Sequence, residues 1–280
     1  MTDEQAMDER ARAELWRAQR GDGPLVATAI HDGHEVRAEV HRALSISDAD
    51  RLREEDPYTG AWASLGDSWI VARRSRFEVD LNRPPERAVY RSPEDAWGLE
   101  VWKREPSQDV VERSLAQHRA FYREMRGLLE ELVARHGRAV VLDLHSYNHR
   151  RSADRRAADP DANPEVNVGT GTMERARWAP LVDRFMEELR GFDFLGRRLD
   201  VRENVKFRGG QLPRFVHETF PGSVCALAVE FKKFFMDEWS GELFPEEHGA
   251  IRAALGATLP GLREELGRCR GPSATRASAG

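Results

Sequence analysis

The chain has 280 residues, enough for one large α/β domain or two small ones with a sizeable buried core. Its 40% hydrophobic and 32% charged residues describe a globular protein with a heavily charged surface, and a net charge of -5 gives no footing for a nucleic-acid partner. No apolar run approaches the roughly 18 residues of a membrane span and the N-terminus does not read as a signal peptide, so no membrane partner and a cytoplasmic location are expected. The two cysteines, Cys225 and Cys269, fit a reducing compartment and exclude a cysteine-rich zinc site.

In chain order, residues 1–22 are expected as an N-terminal helix or arm, with Ala6, Met7, Leu15 and Trp16 spaced among charges. Residues 23–268 are expected to form a single domain. Residues 25–30 make a short buried strand that runs into His31, and Gly33 lets the backbone turn tightly behind it. Residues 39–44 are weakly helical, and 47–56 are polar, closing on Glu54, Glu55 and Asp56. Residues 69–72 form another strand, 77–81 a further strand or its continuation, and Asn82-Arg83-Pro84-Pro85 follows. Residues 86–107 mix prolines, charges and tryptophans as an elaborated loop. Residues 108–136 are the longest helix, with an apolar stripe through Val111, Leu115, Phe121, Met125 and Leu132 and a glycine cap at Gly137.

The run from Arg138 to Asn148 is the most telling. Residues 139–142 are apolar and lead straight into Asp143, Leu144 and His145, which fits a buried parallel strand. In open α/β sheets ligands collect beyond the carboxyl ends of strands, where Asp143 and His145 would lie. A charged loop follows at 149–163, then a strand at 164–171, an amphipathic helix at 173–189 and a strand at 198–204. A glycine turn at 206–210 opens a helix at 211–219. The last strand, 224–229, ends at Glu230, a helix spans 249–266, and residues 269–280 are expected to be a disordered tail. Strands alternating with helices predict a three-layer α/β sandwich with a mixed, largely parallel sheet.

His31 and His145 are placed alike at strand ends. An acid from 54–56, or Glu35, completes two histidines and a carboxylate, the usual kit of a catalytic Zn2+ (another divalent metal fits the same donors) with a fourth position for water. Water bound there has its pKa lowered to about 7. Glu230 is placed to act as general base, or it pairs with Lys232 or Lys233. Arg83 can grip a substrate carboxylate bidentately with Asn82 beside it; the plainer reading is a turn Asn and a surface Arg. Arg208, next to two glycines, can polarise a scissile carbonyl or hold a second substrate carboxylate, and Arg214 is a fainter candidate for the same work, grouped with the substrate-binding residues. His118 and His136 read as structural, His149 and the arginines of 150–156 as a solvated run, Trp97 and Trp102 as packing, and Lys232 and Lys233 as surface.

Six segments resemble the N-formylglutamate amidohydrolase family: Ile30-His-Asp-Gly33, Ser75-Arg-Phe-Glu-Val-Asp-Leu-Asn-Arg-Pro84, Leu142-Asp-Leu-His-Ser146, Asn167-Val-Gly-Thr170, Phe207-Arg-Gly-Gly210 and Val229 to Met236. They occur in the family's order, and the string ending Asp80-Leu-Asn-Arg-Pro84 is the most specific. That family is itself similar in architecture to zinc carboxypeptidases and succinylglutamate desuccinylase. The resemblance implies that His31 and His145 bind the metal, that Glu230 is the catalytic carboxylate, and that Arg83 with Asn82 holds a substrate carboxylate, Asp80 being grouped with them. Asp56 best matches the family's acidic ligand, with Glu35 and then His34 as competitors. Ile30 departs from the family's usual Pro, and Gln211 stands where the family has His.

The function expected is a zinc-dependent amidohydrolase cleaving a small N-acyl, carboxylate-bearing amino acid. The alternatives are a carboxypeptidase-like peptidase on short peptides and a non-catalytic small-molecule binding protein.

Overall fold

The computed structural model describes residues 13–150, 156 and 158–268. The expected tail, residues 1–12 of the expected arm and most of the arginine run after Arg150 lie outside these residues. Seven strands form one sheet: β1 (Trp16–Gln19), β2 (Leu25–Ala29), β3 (Ser68–Ala72), β4 (Ala139–Tyr147), β5 (Val166–Gly169), β6 (Val201–Glu203) and β7 (Val224–Lys232). Their order is β1-β3-β2-β4-β7-β5-β6. Strands β3, β2, β4 and β7 run parallel, β6 is parallel to β5, and β1 and β5 pair antiparallel to β3 and β7. This is the mixed, largely parallel sheet that the alternating pattern predicts.

All nine residues of β4 are buried because helices cover both faces of the sheet. On one face, α4 (Gln108–His136) and α6 (Gln211–Thr219) pack Phe121, Met125, Leu132 and Val216 against Val26, Val141 and Ala226. On the other, α3 (Thr59–Ala63), α5 (Ala179–Gly191) and α7 (Pro245–Arg268) cover Ala27, Leu142 and Leu227. Two short helices, α1 (Ala38–Ala43) and α2 (Asp48–Glu54), lie in the connection between β2 and β3. Among the described residues no helix is long and apolar enough to cross a membrane.

The strand period of two decides where the polar residues go. Thr28, Asp143, His145 and Glu230 share the parity of Val26, Val141 and Ala226, so they fall on the α4 and α6 face. The chain leaves β2 toward β3 on one side, while β4 lies on its other side. The carboxyl ends of β2 and β4 therefore flank a topological switch point, where open α/β sheets form a crevice.

Four segments differ from the sequence reading. Trp16–Gln19 is an edge strand rather than part of a helix or arm, because Trp16 buries its ring against Phe121 while Arg17 to Gln19 stay exposed. Residues 48–54 form a helix that the polar composition hid, although Ser47 accepts the Asp50 amide as an N-cap. Helix α5 starts only at Ala179, with Pro180 in its first turn. Residues 77–81 alternate like a strand but form turns: Glu78 and Asp80 are as fully buried as their apolar neighbours, and the Glu78 and Val79 amides bond back to the Ser75 carbonyl. The chain curls around its carboxylates instead of pairing along the sheet.

His217 of α6 anchors that helix to the sheet. Its Nε2 accepts the Ala226 amide at 3.0 Å and its Nδ1 meets Thr172 Oγ1 at 2.9 Å. Burial pushes its pKa down to about 4. The unfolded chain then takes up this proton first as the pH falls from about 6.5, so folding stability drops until about pH 4, by about 3 kcal/mol for this group. Urea unfolding of His217→Gln between pH 7.5 and 4.5 should show an acid loss about 2 kcal/mol smaller than in the wild type. An equal loss in both proteins contradicts the assignment.

Candidate active site

Strands β2, β4 and β7 and the end of helix α2 bring the site together. His31 stands two residues past β2, and its carbonyl accepts the Asp56 amide at 2.9 Å, which fixes the end of α2 against the strand end. Gly33 lets the turn after His31 lie against the chain that leaves β3: a Cβ there would lie 2.4 to 2.6 Å from the backbone of Arg73 and Arg74. His145 lies within β4, Glu230 faces it in register on β7, and Asn167 of β5 faces Glu230 in turn.

His31, Asp56 and His145 are all buried, and their ligand atoms lie within 4.8 Å of one another. Asp56 Oδ2 lies 2.9 Å from His145 Nδ1 and 3.3 Å from His31 Nδ1, and the latter nitrogen has no hydrogen-bond partner. The far nitrogens are held by other carboxylates. His31 Nε2 donates to Asp80 Oδ1 at 2.8 Å, which leaves Nδ1 to present its lone pair. His145 Nε2 approaches Asp143 Oδ2 to 3.1 Å as an ion pair without the alignment of a hydrogen bond. Asp143 is steadied in turn by Thr28 Oγ1 at 2.9 Å.

The electrostatics favour positive charge at this point. Burial alone would raise the Asp56 carboxyl, yet the His145 hydrogen bond and the adjacent His31 imidazole hold it well below the ordinary range. Burial alone would lower His145, but Asp143, Glu230 and Asp56 together push it well above its ordinary value. Two imidazoles, each backed by another acid, and a carboxylate that converge with one imidazole nitrogen left orphaned fit a divalent cation of the zinc type.

Glu230 lines the same cavity, of about 140 Å³, as the metal-type group. Burial pushes its carboxyl up to about 7; the charge of His145 opposes the rise, and those of Asp56 and Asp143 add to it. Asn82 also lines the cavity. Its Nδ2 lies 3.4 Å from His145 Nε2, and its Oδ1 accepts the Leu212 amide at 3.2 Å. The bare backbone of Gly210 makes room for it, since a Cβ there would sit 2.3 Å from that oxygen.

The other expected residues stand elsewhere. Asp80 is fully buried between His31, Arg76 and Tyr90, away from any open face of the cavity. Arg83 is not among the lining residues: its guanidinium donates to the Asp95 carbonyl at 2.7 Å, lies 3.5 Å from Asp80 and rests over the Tyr90 ring. Arg208 and Arg214 are exposed and outside the lining. Glu35 is largely exposed and paired to Arg73, while His34 bonds Glu55 at 2.5 Å, so neither joins the metal-type group. His118 and His136 donate to the carbonyls of Arg83 and Asp22, as structural histidines. Trp102 packs with its Nε1 donating to the Tyr90 carbonyl.

Several lining residues escape the sequence reading. Lys233, expected at the surface, is 2% exposed and donates to the carbonyls of Arg53 and Glu55, both at 2.6 Å. Burial pushes its pKa down to about 8. Arg76 reaches Asp80 Oδ2 at 2.8 Å and lies beneath Trp97, which is 45% exposed at the rim. His149, which stands outside the lining, is buried at 3.5 Å from Glu238 rather than solvated. Of these, Arg76 and Lys233 each lie within a resembling segment, Ser75 to Pro84 and Val229 to Met236, and His149 lies in none.

The arrangement predicts how metal content responds to mutation. Protein purified without chelators should carry about one divalent ion per chain by elemental analysis, and His145→Ala should carry almost none; full retention removes the site. Asp80→Ala should keep the three ligands and weaken metal binding by about 10- to 100-fold. Unaltered affinity there contradicts an orienting role for Asp80.

The sequence model of the N-formylglutamate amidohydrolase family matches residues 23–236. No curated protein matches the sequence. Among solved structures, an N-formylglutamate amidohydrolase from Ralstonia eutropha JMP134 superposes with a TM-score of 0.71 at 20% identity, over 91% of this chain and 99% of that one. A gene product from Agrobacterium tumefaciens superposes at 0.67 with 18% identity, over 91% and 98% of the two chains. At such identities these two likenesses establish the shared fold. The family match, which spans most of the sequence, decides membership: the chain belongs to the N-formylglutamate amidohydrolase family.

Proposed function

We propose that this chain hydrolyses the amide bond of a small N-acyl amino acid, N-formyl substrates included, with a divalent metal, zinc in first place, held by His31, Asp56 and His145. The observation that carries the reading is that these three donors and the Glu230 carboxyl line one small cavity. When bound, zinc supplies Lewis-acid polarisation of a carbonyl and a lowered pKa for water.

The chain's own groups account for the remaining chemistry. Glu230 takes a proton from the attacking water and returns it to the leaving nitrogen as the C–N bond breaks, so the acyl group leaves as an acid and the nitrogen as a free amine. Arg76 lines the cavity wall with its guanidinium held by Asp80, Tyr90 and the Glu54 carbonyl, so it contributes positive charge at the wall. Asp80 and Asp143 hold the two imidazoles in orientation. The cavity, of about 140 Å³, is smaller than the roughly 300–1,000 Å³ of usual ligand pockets. That size supports a compact acyl amino acid over an extended peptide.

A panel of N-formyl, N-acetyl and N-succinyl amino acids beside dipeptides tests the substrate class. Turnover confined to acyl amino acids is expected; preference for dipeptides favours a peptidase, and bound metal without turnover favours a binding protein. Glu230→Gln should retain the metal and lose about 1,000-fold in kcat. Undiminished hydrolysis by that variant takes Glu230 out of the mechanism.

A further inference from the structure

We propose that Lys233 is the residue that recognises the substrate's carboxylate, an inference that rests on the reading of the chain as an N-acyl amino acid hydrolase. An ammonium group has three N–H donors. Lys233 spends two on the carbonyls of Arg53 and Glu55, just ahead of Asp56 in the chain, and the residue lines the cavity. One donor is left over. Among the described residues no carboxylate pairs with this ammonium at salt-bridge distance; Asp56, Glu54 and Glu238 attract it only from further off. A buried cation with backbone partners alone is costly, and an incoming carboxylate offsets that cost.

The other cations nearby are already matched. Arg76 is paired to Asp80 at 2.8 Å, donates to Tyr90 Oη and the Glu54 carbonyl, and is covered by the Trp97 ring at 4.7 Å. Arg83 is engaged by Asp80, Asp95 and Tyr90 and stands outside the lining. Lys233 is therefore the lining cation whose charge has no direct counter-ion. Its position also suits the chemistry. It follows Glu230 by three residues, and its amide bonds the Tyr147 carbonyl at 3.0 Å, tying it beside β4. In an N-acyl amino acid the α-carboxylate carbon is two bonds from the nitrogen that Glu230 protonates. Base and anchor thus meet neighbouring groups of one small molecule.

The test crosses a change in the enzyme with a change in the substrate. The N-formyl amino acid that the wild type hydrolyses best is compared with its neutral carboxamide, on wild type, Lys233→Met, Lys233→Gln and Lys233→Arg, with metal content and circular dichroism measured for each. Lys233→Gln keeps N–H donors for the two carbonyls without the charge, so it isolates recognition from support. Wild type should prefer the acid. Met and Gln variants should lose roughly 100-fold in kcat/KM on the acid, chiefly through KM, far more than on the carboxamide, and Arg should restore most of the preference. Equal losses on both substrates mean that Lys233 only supports Asp56, and the proposal falls. A wild type that hydrolyses neither substrate overturns the functional reading itself, and the proposal with it.

Discussion

Four carboxylates, those of Asp56, Asp80, Asp143 and Glu230, are buried around two imidazoles at the carboxyl edge of the sheet. Water does not screen them there, so their mutual repulsion has to be met by positive charge brought in close. Arg76 meets one of them, through Asp80. The remainder falls on His31, on His145, on the more distant Lys233 and on whatever cation the pair of imidazoles can hold. Much of the local structure answers this constraint. Thr28 points at Asp143 instead of packing as an apolar residue, Tyr90 buries its hydroxyl to reach Asp80, and residues 77–81 abandon the strand their alternation suggests in order to place Asp80 behind His31.

The sheet makes that concentration of charge possible. Helices on both faces leave β4 with no polar outlet except its carboxyl end, and the period of two turns Thr28, Asp143, His145 and Glu230 toward the same face. The reversal of strand order at β2 and β4 opens the crevice between them. Catalytic geometry then depends on loops tied to rigid strands: the Asp56 amide is tied to His31, the Lys233 amide to Tyr147, and the Lys233 ammonium back to the end of α2. Family membership and site geometry agree on a hydrolase, and each of those ties bears on how finely the ligand atoms are placed.

Much of this was legible in the sequence. The strands carrying His31, His145 and Glu230 are short apolar runs that end in a polar residue, and α4 shows its full length through periodicity and its Gly137 cap. Asp56 was legible only through resemblance, because three acids stand in a row and only tertiary packing tells them apart. Glu54 and Asp56 line the cavity, whereas Glu55 turns toward Ser75, His34 and Arg51. Lys233 was not legible. A lysine just beyond a strand ordinarily reaches solvent, and its burial depends on carbonyls 178 and 180 residues away in sequence. The arginines show a related difficulty: Arg83 and Arg208 sit in motifs that promise substrate contact, but the Asp95 carbonyl and the Tyr90 ring engage Arg83, Arg208 is exposed, and it is Arg76 that lines the cavity.

The central claim is that His31, Asp56 and His145 hold a single catalytic metal. Anomalous diffraction at the zinc absorption edge, from crystals of protein purified without chelators, tests it most directly. The account predicts one strong peak per chain, within bonding distance of His31 Nδ1, His145 Nδ1 and an Asp56 carboxylate oxygen. A peak bound by Glu35 or His34 in place of Asp56, or a fully ordered group of the three side chains with no metal after zinc is supplied, would contradict it.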